Sequence, residues 1–251
     1  SDYIYVPNTR SVAKIFSKCA RAKPYPRELF FHRLRTTAIP LGNLKVHRAR
    51  KRKSRTPPTE GKLILLFTGP YDTPASANEE EIFDLVSKVL SHFKTAKIFF
   101  RPHPAWVDHD RTLKICDLFK EEHRFVLDDE PLSENMIMKG SALITDNSNS
   151  GLSFSLITDQ PAIYVKPTVP FFDEKALNLK FEDGAVFKFC RTTNEVINFL
   201  EKQFDYPETT LIDHKVLFKD TFSHLDDGEE YFFKTLNAII TGKNLDDWNF
   251  L

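Results

Sequence analysis

The chain carries no net charge: Lys and Arg total 35 and Asp and Glu total 35, so no global field of one sign points to nucleic acid or an anionic membrane. Any such attraction has to be local. Cysteine is scarce. Cys19, Cys116 and Cys190 lie far apart, with neither CxxC spacing nor an evident pairing, which argues against a disulfide framework and for packed, reduced thiols in a cytoplasmic protein. No run of about 18 apolar residues is present to span a bilayer, and the opening residues show no charged stretch followed by an apolar one. Of the eight histidines, the seven besides His103, namely His32, His47, His92, His109, His123, His214 and His224, show no HxxxH or Cys/His ligand spacing, so neither a metal nor a cofactor is expected. There is no internal repeat and no low-complexity tract.

What is there is a chain of 251 residues, 41% hydrophobic and 13% aromatic, enough for one substantial core in one large domain or two small ones. It opens directly in a strand-like run at residues 3–6, as the continuation of something longer would. Residues 9–20 follow as a helix with Val12, Ile15 and Phe16 on one face, then a helical stretch at 27–35 and a turn at Pro40-Leu41-Gly42-Asn43. Residues 48–55 read RARKRKSR, six basic positions in eight, and run into Thr56-Pro57-Pro58-Thr59-Glu60-Gly61. A charge run followed by a Pro-rich break reads as an exposed connection. On that reading residues 1–55 are the end of one domain with a basic linker, and 56–251 form a second domain closed by a C-terminal helix.

Beyond the break the pattern becomes regular. Apolar strands are expected at 62–67, 97–100, 125–127, 142–144 and 162–165, and helices at 78–93, 110–122, 133–139, 151–157, 193–203 and 229–240. Continuously apolar strands between amphipathic helices require a sheet covered on both faces. The fold class is therefore α/β, a Rossmann-like doubly wound parallel sheet, and in such sheets ligands bind beyond the carboxyl ends of the strands.

Three strand ends carry chemistry. Thr68 and Gly69 begin a small, hydroxyl-bearing loop through which a phosphate or ribose can approach the backbone. Arg101-Pro102-His103-Pro104 follows the strand at 97–100, and its prolines fix the directions of a guanidinium suited to phosphate and an imidazole able to donate to a phosphate oxygen or exchange a proton. Thr145, Asp146, Ser148, Asn149 and Ser150 end the strand at 142–144 and open the next helix, where an anion meets free N–H groups and the positive end of the helix dipole. Such a loop binds a diphosphate without a P-loop lysine. Each of the three is also compatible with an ordinary turn or cap.

Arg101-Pro102-His103-Pro104, together with Ile144-Thr145-Asp146 and its serine-rich turn, resembles the CDP-glycerol glycerophosphotransferase family of teichoic-acid and capsule polymerases. Residues 2–6, 39–43 and 222–228 are similar to further segments of that family, so the resemblance spans most of the chain, with the two named motifs its specific part. It implies a GT-B fold, two Rossmann-like domains facing across a cleft, of which this chain carries the C-terminal donor-binding one and a remnant of the first. It implies that His103 acts at the reacting phosphate and Arg101 faces the donor's phosphates. Thr145, Ser148 and neighbouring amides would cradle the diphosphate, with Asp146 orienting the loop, while an acceptor hydroxyl displaces CMP. The implied partners are a nucleotide-activated donor and a polymeric or lipid-linked acceptor. Asn147 stands where the family is usually aromatic, Asn149 replaces a serine, Ser153 stands where aspartate is common, and residues 66–70 lack the usual signature. These departures leave the transferred group open.

Two other classes stay in view. Bacterial sialyltransferases also use a His-Pro pair and an acidic-Gly motif, here His103-Pro104 and Asp226-Asp227-Gly228, although in the reverse order. A non-catalytic nucleotide-binding or scaffolding domain would keep the fold without the chemistry. Arg48, Arg50, Lys51, Arg52, Lys53 and Arg55 offer a patch for the anionic inner face of a bacterial membrane, at about 1 kcal/mol per basic residue. Nucleic acid is not expected, because no aromatic interleaving accompanies the run.

Overall fold

The computed structural model describes residues 2–6, 36–53, 62–70, 76–130, 134–148, 150–165, 187–212 and 223–250. The expected helices at 9–20 and 27–35, the Pro-rich stretch 56–61, Asn149 and Arg55 lie outside these. The described residues belong to two compact units. One gathers those of Ser1–Lys51 and His214–Leu251, the other those of Arg52–Phe171 and Lys180–Asp213.

The second unit contains a six-stranded, wholly parallel sheet formed by β3 (Leu63–Phe67), β4 (Lys97–Arg101), β5 (Phe125–Leu127), β6 (Ala142–Thr145), β7 (Ala162–Val165) and β8 (Phe187–Cys190). Their spatial order is β5-β4-β3-β6-β7-β8. Numbered from β3, that order is 3-2-1-4-5-6, the doubly wound Rossmann arrangement in which the chain changes direction of travel between the first and fourth strands. All five residues of β3 and all four of β6 are buried, as a strand covered on both faces requires. The strand β8 was not anticipated. Its Phe-Lys-Phe-Cys is short, and Lys188 interrupts the apolar run that marked its neighbours.

The helices of this unit are α2 (Glu79–His92), α3 (Asp110–Leu118), α4 (Glu134–Lys139), α5 (Ser150–Thr158) and α6 (Thr193–Asp205). Helix α2 starts with a capping box, Asn78 Oδ1 accepting from Glu81 N at 3.0 Å and Glu81 Oε2 from Asn78 N at 2.9 Å. It buries Ile82, Leu85, Val86, Val89 and Leu90 in one cluster with Ile64, Leu66, Ile98 and Phe100 of the sheet. Arg124 closes its other end, Nη1 donating to the carbonyls of Leu90, Phe93 and Lys94 at 3.0–3.3 Å.

The first unit holds a small sheet, with β1 (Asp2–Val6) parallel to β2 (Thr36–Pro40) and β2 antiparallel to β9 (Asn249–Phe250). Among its described residues the helices are α1 (Leu44–Lys53) and α7 (Gly228–Ile240). Ile39, Leu41, Tyr231, Ala238 and Trp248 form its core. The helix α7, assigned from sequence to the second domain, thus groups with the first unit.

The larger correction concerns the basic run, which is not an exposed linker as far as Lys53 but the body of α1. Arginine, lysine, leucine and alanine are good helix formers. Asn43 Oδ1 caps the start, accepting from Lys45 N at 3.1 Å and Val46 N at 3.2 Å. Val46, His47 and Ala49 are buried, while Lys45, Arg48, Lys51 and Arg52 are exposed. One buried stripe is enough to turn a charge run into a packed element. The turn before it requires glycine: Gly42 has φ +77°, and a Cβ there would lie 1.8 Å from the carbonyl oxygen of Ser223.

Candidate functional site

The reversal of strand order falls between β3 and β6, and the loops after these two strands are tied together there. Asp146, 4% exposed, is the knot. Its Oδ1 accepts from Gly69 N at 2.7 Å and from Asn147 N at 2.6 Å, and its Oδ2 accepts from Ala77 N at 3.0 Å. One carboxylate thus satisfies three backbone donors of two loops, which fits a group that orients the loop. Burial pushes its carboxyl above the usual range, and the N–H groups of Gly69, Ala77 and Asn147 pull it back down. Gly69 is required by the close approach: a Cβ there would lie 1.1 Å from Asn147 Oδ1. Thr68 is buried, donates its N–H to Arg101 O at 3.0 Å, and leaves Oγ1 without a hydrogen-bond partner among the described residues.

From β6 the chain turns into α5. Thr145 Oγ1, fully buried, accepts from Ser148 N at 3.0 Å, and Ser148 Oγ accepts from Ser150 N at 3.2 Å. Beneath this turn Tyr164, reaching up from β7, donates its hydroxyl to Ser148 O at 2.8 Å. A Cβ on Gly151 would lie 2.4 Å from that hydroxyl oxygen, so glycine lets α5 begin directly against the ring. Burial, and secondarily the charge of Asp146, push the Tyr164 phenol up, so it stays a proton donor.

On the other side of β3, Arg101 ends β4 and is itself buried, its Nε and Nη2 donating to Asp128 Oδ2 at 3.0 and 2.7 Å. Two residues on, His103 is half-buried and opens a single turn of 3-10 helix at Pro104–Trp106. Its Nδ1 accepts from Ala105 N at 3.3 Å, so the neutral ring carries its proton on Nε2 and presents a donor there. His109 repeats the device at the start of α3, Nδ1 accepting from Arg111 N at 3.2 Å.

The structure therefore brings Thr68, Gly69, Thr145 and Asp146 together at the switch point and sets Ser148 and Ser150 at the start of α5. It joins Arg101 to the group through the Thr68 N–H. Among the described residues no hydrogen bond links His103 to the 145–150 loop. A cavity of about 440 Å³ lies between α2 and the start of α6, lined by Glu80, Asp84, Lys88 and Thr193 among others, and reaches the strand ends at Thr68, Asp146 and Cys190, but is not lined by His103 or Ser148. Sequence reasoning missed Asp128 and Tyr164. Asp128 stands immediately after the expected strand 125–127, a position that marks strand-end chemistry. Tyr164 sits inside an apolar run and gave no signal.

In the first unit, the Asp226-Asp227-Gly228 segment serves packing at the start of α7. A Cβ on the buried Gly228 would meet Leu44 and His47 at 3.4–3.5 Å, and Arg50 Nε lies 3.8 Å from Asp226 Oδ1. The basic face of α1 is partly matched by acid: Arg48 and Lys51 lie 2.9 and 3.3 Å from the two carboxylate oxygens of Glu229. Among the described residues no group of side chains fits a metal ion, and no helix is long and apolar enough to cross a membrane.

No family model matches the chain, and no curated protein matches it. Solved structures do. The wall teichoic acid polymerase TagF superposes with a TM-score of 0.57 at 13% identity, covering 96% of this chain and 58% of that one. UDP-GlcNAc 2-epimerase of Methanocaldococcus jannaschii, in complex with UDP-GlcNAc and UDP, matches with a TM-score of 0.51 at 13% identity over 95% of this chain and 61% of its own. The Neisseria meningitidis UDP-GlcNAc 2-epimerase, bound to UDP-GlcNAc, gives 0.52 at 13% over 96% and 61%. The chain spans about three fifths of the length of these structures. At such identities the likeness speaks for architecture, and the conclusion it carries is that this chain is an α/β protein sharing the GT-B-type fold.

Proposed function

We propose that the second unit is the donor-binding domain of a GT-B transferase, one that moves glycerol phosphate or a related activated group from a CDP- or CMP-linked donor to a growing cell-surface polymer. The observation that carries this is the loop from Thr145 to Ser150, which opens α5 at the topological switch point directly beside Thr68 and Gly69. The N–H groups of Gly69, Asn147, Ser148 and Ser150 are spent inside the loop, so a diphosphate there would meet the positive end of the α5 dipole, with His103 Nε2–H as a donor. Support comes from the fold shared with TagF, solved also after a soak with CDPG, and with epimerases solved with UDP or UDP-GlcNAc. The Arg101–Pro104 and Ile144–Asp146 motifs favour the cytidine-linked donor.

On this reading the domain contributes position and charge stabilisation. The acceptor oxygen forms its bond to the phosphorus bearing the transferred group as the bond to CMP breaks. The acceptor's proton passes to a general base. Asp146, occupied by three N–H groups, holds the loop and does not react. The test is to replace His103 and Ser148 by alanine and titrate each variant with CDP-glycerol, CDP and UDP. Weaker binding in both, with an unchanged circular dichroism spectrum, supports the reading. Unchanged affinity in both rejects it, and tighter binding of UDP than of CDP by the parent chain moves the assignment to a uridine-linked sugar donor.

A further inference from the structure

We infer that Asp128 is a positioning residue of this site, acting through Arg101 to fix the turn that carries His103; the inference rests on the reading of that turn as phosphate-facing. Asp128 lies one residue beyond β5, and its N–H donates to Phe100 O at 2.8 Å, extending the β4–β5 ladder to the level of Arg101. Its Oδ2 receives two donors of one guanidinium, and the two side chains are only 9% and 5% exposed. Two bonds to a planar fork leave the guanidinium no freedom to rotate. The same residue is held from its other neighbour by Thr68 N on its carbonyl, 3.0 Å, and the Phe67 ring lies 5.8 Å from its Cζ. Arg101 is thus anchored by backbone or side chain to both flanking strands, and Pro102 removes a rotational freedom before His103.

An arginine neutralised by a buried carboxylate is not a mobile clamp that swings onto a ligand. Among the described residues its Nη1 has no hydrogen-bond partner, so one N–H edge of fixed orientation is what it has to offer a phosphate oxygen. Recognition then falls chiefly on His103 Nε2–H and the positive end of the α5 dipole. Asp128 decides where the first of these points, and the carboxylate does so without touching the ligand.

The test uses Asp128→Asn, which keeps the shape and removes the charge, and Arg101→Lys, which keeps the charge and removes the fork. Two readouts are taken on the full chain: the ring-nitrogen NMR signals of His103, and the affinity for CDP. The expected result is that both variants fold, that His103 moves from the Nε2–H tautomer to a mixture, and that CDP binds about tenfold more weakly or worse. A pair with a purely structural role would lower the melting temperature and leave the His103 signals where they were. His103 signals unchanged in both variants would overturn the inference, whatever the affinity. If the parent chain binds no CDP, the donor reading has failed, and the His103 signals still decide whether Asp128 positions that ring.

Discussion

Asp128 and Arg101 are a buried ion pair, and removing one partner leaves the other charged and unsolvated. Asp128→Ala should cost about 3–5 kcal/mol in urea unfolding, far more than an exposed pair such as Lys120–Asp117. A cost below about 1 kcal/mol, the scale of surface pairs, would mean that water reaches the pair. Tyr164→Phe removes a single hydroxyl donor to Ser148 O and should cost about 1 kcal/mol. Asp146 gives a prediction in pH. Its carboxyl is raised by burial, so the native state holds this proton more tightly than the unfolded chain. Its contribution to stability is therefore greatest in acid and falls as pH climbs through the range above 3.8, levelling once the native carboxyl has ionised. A carbon-detected NMR titration should place the Asp146 midpoint above 3.8, and a midpoint at or below that value contradicts the burial argument. Much of this scale was hidden in the sequence. Asp146 stood out in the sequence as the acid of a hydroxyl-rich strand-end loop, but nothing in one dimension shows that Arg101 faces an aspartate just beyond the adjacent strand, or that Tyr164 props Ser148 from below.

At the scale of elements, two kinds of signal behaved differently. Strands such as β3, β6 and β7 were legible because a strand buried on both faces is a continuous apolar run. Helix α2 was legible because its apolar residues fall on one face; its Asn78–Glu81 capping box came from the structure. By contrast α1 hid behind its charge. The buried stripe of Val46, His47 and Ala49 is narrow, and Arg50 packs at its edge with a side chain 16% exposed. The strand β8 was lost to Lys188. The cap at Asn43 tests the corrected reading of α1: Asn43→Ala should cost about 1 kcal/mol, read from the buried Trp248 in a Trp106→Phe background. If residues 44–53 were an exposed connection, the substitution would cost nothing measurable.

At the scale of the whole molecule, the alternation of apolar runs and amphipathic helices was enough to specify a doubly wound parallel sheet, while its strand order comes from the structure alone. What that pattern does not specify is the grouping of α7 with the first unit, which depends on long-range packing of Tyr231, Ala238 and Trp248 against Ile39 and Leu41. On the proposed reading, the switch point between β3 and β6 is a nucleotide-diphosphate site. Isothermal titration of the unmodified chain with CMP, CDP, UDP and CDP-glycerol tests it most directly. Saturable binding is expected, with the diphosphates binding more tightly than CMP and the cytidine diphosphates more tightly than UDP. Absence of binding to all four would contradict it.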